Sequence, residues 1–83
     1  MSEIERAHVV VDARDNVTTL LDEGIDLCRL QGGLKVAPGI AFGHKAALRA
    51  IAEGEAVIKY GVAIGRATRA IGQGDHVHVH NCV

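Results

Sequence analysis

Two stretches of this chain repeat each other. ALRAIAEGEAVIKYG spans residues 47–61 and ATRAIGQGDHVHVHN spans 67–81. Aligned without gaps they share Ala47/Ala67, Arg49/Arg69, Ala50/Ala70, Ile51/Ile71, Gly54/Gly74 and Val57/Val77. A fainter third copy is LLDEGIDL at 20–27, where Leu21, Gly24 and Leu27 match Ile51, Gly54 and Val57. Each copy runs from an apolar residue through two variable ones to a glycine, then into alternation. That pattern is strand, tight turn, strand, with the glycine supplying the positive φ of the turn.

The repeat decides one local conflict. HKAALRAIAE at 44–53 is Ala-rich and helical by propensity, and Gly54 would suit a helix C-terminus. Its partner copy RATRAIGQ has a β-branched centre and an internal glycine, so the prediction is at most one helical turn near 44–47 followed by extended chain. Strands are expected near 8–13, 16–21, 25–30, 34–37, 56–60, 64–70 and 75–80. The fold class is all-β, built of short strands with glycine corners.

At 83 residues the chain is one domain, 1–83, with a thin core. Apolar residues make up 48% and aromatics 2%, so Val, Ile, Leu and Ala must fill the core, with Phe42 and Tyr60 the only rings. A formal net charge of −1 argues against nucleic acid or an anionic membrane as partner, because both need a basic face. No run is long enough to span a membrane, and the start MSEIERAH lacks a basic segment followed by an apolar one. Cys28 and Cys82 form neither a CxxC pair nor a disulfide framework and read as thiols in a reducing compartment. A soluble cytoplasmic protein is expected.

The chemistry-bearing residues concentrate in three places. GDHVHVHN at 74–81 puts His76, His78 and His80 at alternate positions, hence on one face of a strand, with Val77 and Val79 toward the core. Two imidazoles at i and i+2 can meet at one metal ion. His76 and His80 would stand about 13 Å apart on a strand, too far for all three to converge. The face is therefore either one His-x-His pair of a metal site or a polar surface rich in histidine. A third ligand from within the chain would be His44. The second place is APGIAFGHK at 37–45, where Gly43 frees the backbone before His44 and Lys45. This pair could supply a general base and a carboxylate anchor, or be a solvated loop. The third is IKYGVAIG at 58–65, where Lys59 could hold an anion or lie exposed beside a packed tyrosine.

Residues 43–81 resemble the N-terminal domain of the altronate/galactarate dehydratase family, and the related small subunit of sulfolactate sulfo-lyases. The landmarks are Gly43-His44-Lys45, Ala47-Leu48, Ile51, Gly54, Val57 to Gly61, Ile64-Gly65, Ile71, Gly74, His76-Val77-His78 and His80-Asn81. Residues 1–42 fit only loosely. The resemblance implies an SAF-type domain with a β-clip fold. It implies a metal-assisted elimination on a hydroxylated acid, of water from a sugar acid or of sulfite from sulfolactate. It implies a divalent metal, Fe²⁺ or Mn²⁺, and site roles for His44, Lys45, Lys59 and Asn81 in catalysis and for His76, His78 and His80 at the metal. The fused dehydratases continue well beyond this domain, so the expected partners are a large catalytic subunit and a small acidic substrate. A homo-oligomer stays open. The rival from another class is a stand-alone, non-catalytic SAF-type module that binds a carbohydrate acid or a metal.

Overall fold

Gly54 and Gly74 adopt φ of +84° and +85°, so both copies of the repeat turn at the same point. In the computed structural model, which describes residues 5–83, the two copies lie against each other as equals. Ile51 and Ile71 exchange both backbone hydrogen bonds at 2.8 Å. The Gly54 N–H donates to the Ala67 carbonyl and the Gly74 N–H to the Ala47 carbonyl, each at 2.8 Å. Such reciprocity makes the two copies a pseudo-two-fold pair. Their apolar positions meet in one core cluster, in which Val17, Ala47, Ile51, Val57, Ala67, Ile71 and Val77 are buried.

The elements are β1 (His8–Val9), β2 (Val17–Leu20), β3 (Lys45–Ala47), β4 (Ala56–Lys59), β5 (Val62–Arg66) and β6 (His76–Val77). Strands β1, β2, β3 and β6 form an antiparallel sheet in that order, and β4 with β5 forms a hairpin. Val17 and Ala47 face this hairpin, while Leu20 and Ala46 face the other way into a second cluster with Leu30, Val36 and Ile40. Arg6 pins that second layer. Its side chain is buried, pairs with Asp22 at 2.8 Å and donates to the Ile40 and Asp22 carbonyls.

The molecule is all-β, and the described residues contain no helix, hence none long and apolar enough to cross a membrane. Residues 1–4 of the start MSEIERAH, whose sequence lacks a basic segment followed by an apolar one, lie outside the described residues. Several local expectations are corrected. Residues 45–47 are strand rather than a helical turn, because β2 and β6 pair with them on both sides and that pairing overrides alanine's preference. The strand expected at 8–13 shortens to 8–9, the one at 64–70 moves to 62–66, and the one at 75–80 stops at Val77. Segments 25–30 and 34–37 form only single bridges, Arg6 with Leu30 and Arg29 with Lys35. The third copy is not structural: Leu21 is 46% exposed, and Gly24 lacks the positive φ that Gly54 and Gly74 adopt. Neither ring joins the core: Phe42 and Tyr60 are both 58% exposed. Cys28 is exposed and both cysteines are free thiols.

Candidate metal centre

Three histidines converge, His44 from a turn, His76 from β6 and His78 from the turn that follows it. His44 closes a turn in which its N–H donates to the Ala41 carbonyl at 3.0 Å. Gly43 takes φ of +84° there, at the position where a type II turn requires a positive value. The His44 carbonyl accepts the Leu20 N–H at 2.9 Å, which fixes the turn to β2. Across β3 and β6, Ala46 is the register partner of His76. Side chains alternate along a strand, so His44 and His76 emerge on one face. Their rings touch, with His44 Nδ1 and His76 Nε2 2.9 Å apart.

His78 reaches the same place by a different route. Strand β6 has ended, because its partner β3 begins only at Lys45 and leaves residues 78–80 nothing to pair with. Asn81 folds the chain back instead. Its Oδ1 accepts the His78 N–H at 3.0 Å and its Nδ2 donates to the His76 carbonyl at 2.8 Å. The His44 and His78 rings stack with centroids 4.0 Å apart. One ligand nitrogen from each of His44, His76 and His78 falls within 4.8 Å of the others. His80 is also drawn in, its ring centroid 5.2 Å from that of His76 rather than the 13 Å of an extended strand. The turn carries Val79 out to 81% exposure, so its expected place in the core is corrected.

The electrostatics suit a cation. Burial holds the His76 imidazole below its ordinary pKa, and the neighbouring His44, His80 and His78 push it further the same way. The uncharged ring, the form that can offer a lone pair to a metal ion, is favoured as a result. Three imidazoles in reach of one point make a donor set that fits a divalent transition metal.

The remaining candidates separate. Lys45 points to the opposite face of β3 from His44 and lines a groove of about 190 Å³ with His78, Ile64, Val79, Cys82 and Val83. Asn81 is 5% exposed and both ends of its amide are bound to backbone, so it positions the histidine turn. Lys59 is buried on β4 and lines neither the groove nor the histidine cluster. The alternative of an exposed lysine beside a packed tyrosine is thus reversed: the lysine is inside and Tyr60 is outside. A larger hollow of about 410 Å³, between Asp26, Cys28 and Lys35, contains no histidine. Asn16 escaped the sequence reading altogether. It is 0% exposed and clamps β4 as Asn81 clamps the histidine turn.

Comparison with known proteins gives a consistent picture. The family model for the altronate/galactarate dehydratase SAF domain matches residues 6–83. The chain is similar to the (2R)-sulfolactate sulfo-lyase subunit alpha of Chromohalobacter salexigens, at 43% identity over 88% of each chain. It is also similar to the altronate dehydratases of Bacillus subtilis, at 35% identity over 92% of this chain, and of Escherichia coli, at 40% over 89%. It spans only 16% of the length of either dehydratase.

Proposed function

This chain belongs to the altronate/galactarate dehydratase SAF-domain family, and from that premise we propose that it is the small component of a cytoplasmic, metal-dependent lyase acting on a hydroxylated acid. The observation that carries the reading is the convergence of His44, His76 and His78 ligand atoms within 4.8 Å. The relatives are lyase components by name, one of them a subunit. The substrate is a sugar acid of the altronate or galactarate kind, or sulfolactate.

Elimination next to a carboxylate requires a proton to leave a weakly acidic carbon. A placed base and nearby positive charge lower that barrier. A divalent ion, Fe²⁺ or Mn²⁺, held by His44, His76 and His78 would supply Lewis-acid stabilisation of the developing negative charge. Lys45, which lines the groove together with His78, offers an ammonium to the substrate's carboxylate. His80 is exposed, adjoins His76 and lies outside the three-ligand set, so its free ring nitrogen is available to accept the proton. Asn81 holds the turn on which His78 and His80 stand.

The groove beside His78 is open and walled by exposed Ile64, Val79 and Val83. A site this shallow does not enclose a substrate, which supports a large subunit closing over it. The chain alone is then inactive. The test is reconstitution with the large subunit and assay against altronate, galactarate and sulfolactate with Mn²⁺ or Fe²⁺. Turnover should need both chains and the metal. Turnover by the purified small chain alone, or a complex indifferent to chelation, would overturn the reading.

A further inference from the structure

Lys59 presents a charge with nothing to meet it. It stands two residues beyond Val57 on β4, on the face that enters the core, and is 2% exposed. Its Nζ has no hydrogen-bond partner among the described residues. The Tyr60 ring covers it, with Nζ 4.2 Å from the ring centroid. Burying an ammonium without an acceptor costs more than one cation–π contact returns.

Tyr60 is itself held against its preference. With Gly61 it forms the two-residue turn between β4 and β5, at φ of +57° and +73°. Both signs are those of a type I′ turn, a place for Asn or Gly. Among the described residues Tyr60 is the non-glycine residue with positive φ, and the residue is 58% exposed. A strained backbone that carries a bulky ring onto a buried, unpartnered cation is what a movable cover requires.

The surroundings suggest what the cover admits. Lys45 pairs in register with Val77, and Val77 packs with Val57 in one core cluster. Lys45 and Lys59 therefore stand on the faces that the two sheets turn toward each other. A single buried ammonium suits a monoanion with two oxygens better than a phosphate, which needs more donors.

We propose that Lys59 Nζ is a carboxylate-binding position and that Tyr60 is its lid. The carboxylate belongs to a small hydroxylated acid or to an acidic side chain of the large subunit. Only these choices of source rest on the lyase reading; the binding position rests on the burial of Lys59.

The chain has three lysines, so their side-chain Hε–Cε signals are readily separated by NMR. The full chain would be titrated with sodium gluconate, using uncharged sorbitol as control. Gluconate should move the Lys59 signal saturably, with its protons shifting downfield as they leave the shielding of the ring. The signal of exposed Lys35 should stay put. Lys59→Met should abolish binding while filling the same apolar space. Tyr60→Asn keeps the positive φ, removes the competing ring and should bind about two- to five-fold tighter. If gluconate leaves Lys59 unmoved, adding the large subunit must move it, and Lys59→Met must weaken assembly about ten-fold, the effect of stranding one charge of a buried pair. That result assigns the carboxylate to the partner. A Lys59 signal unmoved by either, or a Lys59→Met chain that retains both interactions, overturns the proposal. Loss of turnover with the Lys59 shift intact would count against the lyase reading alone.

Discussion

Asn16 and Asn81 grip the chain with the same three hydrogen bonds. Asn16 Nδ2 donates to the Ala56 carbonyl at 2.9 Å, its Oδ1 accepts the Ile58 N–H at 2.7 Å, and its own N–H donates to the Ile58 carbonyl at 3.2 Å. Asn81 does the same to the His76 carbonyl, the His78 N–H and the His78 carbonyl, at 2.8, 3.0 and 3.1 Å. Ala56 and Ile58 are the repeat counterparts of His76 and His78. The pseudo-two-fold thus extends beyond the aligned positions, pairing Asn81 at the end of the second copy with Asn16, which lies outside both. In one half the clamp fixes a hairpin strand; in the other it fixes the histidine turn.

Each clamp is buried, so removing it strands backbone groups. Asn16→Ala and Asn81→Ala should each destabilise the chain by about 1–3 kcal/mol, the cost of unsatisfied buried partners. Their effects should part at the metal. Asn81→Ala frees His78 and should weaken Mn²⁺ binding about ten-fold or more, the scale of lost support around a ligand. Asn16→Ala should leave Mn²⁺ affinity within about two-fold wherever the chain is folded, because its partners are not ligands. Urea titration and calorimetry read the two quantities separately. Equal metal losses in both variants would mean that Asn81 has no special hold on the site.

Much of this was legible. The glycines of the repeat marked turns that the backbone takes with matching φ, and the shared apolar positions marked the core. The histidine turn was not legible, because HVHVHN reads as perfect alternation. A strand needs a neighbour, and β3 begins too late to supply one to residues 78–80. The asparagine amide then substitutes for the missing ladder. No local pattern tells an asparagine that clamps from one that merely sits in a turn; only the long-range pairing does. Tyr60 misled for a related reason. An apolar ring in a thin core is the ordinary expectation, but the two-residue hairpin places residue 60 at its exposed tip.

Val77 and Val79 separate the two descriptions of that segment. On a continuous strand both would be core residues. In the structure Val77 is 3% exposed and Val79 81%. Val77→Ala should cost about 1–3 kcal/mol, the lower part of the range for buried large-to-small changes. Val79→Ala should fall within about 0.5 kcal/mol, as for exposed positions. Thermal melts of the two variants decide it, and a comparable loss in both would restore the strand.

Stability should fall with acid in two steps. His76 binds its proton less readily in the folded chain than in the unfolded one, because burial and the neighbouring imidazoles disfavour its charge. Above its ordinary value of 6.5 both states are neutral and nothing is lost. As pH falls below that value the unfolded chain takes up the proton first, so stability declines until the folded pKa is passed. The second step lies in the carboxylate range. Burial pushes the Asp22 carboxyl up, but the Ala7 N–H, Arg6 and the Gly24 N–H outweigh it and hold its pKa below 3.8, so that stability goes as pH falls through the folded value. His76→Gln should flatten the first step and leave the second. Urea midpoints measured across pH 2–8 test this, and an unchanged slope in the variant between pH 4 and 6.5 would show that another group titrates there.

Under the proposed function, His80 is where metal holding and proton transfer can be told apart. His44, His76 and His78 bring their ligand atoms together, whereas His80 adjoins the set without joining it. Loss of one of three ligands should weaken Mn²⁺ binding strongly, so His44→Ala, His76→Ala and His78→Ala should each reduce affinity by about ten-fold or more. His80→Ala should leave affinity within about three-fold, since no ligand is lost. Turnover by the reconstituted enzyme should respond differently. A missing acid–base group costs about 10²-fold or more, so His80→Ala should be nearly as slow as the ligand variants while holding its metal. Raising the Mn²⁺ concentration would then partly rescue the ligand variants and do nothing for His80→Ala. If His80→Ala instead loses metal and is rescued by it, His80 is a ligand in the assembled enzyme, and the proton must go to another group.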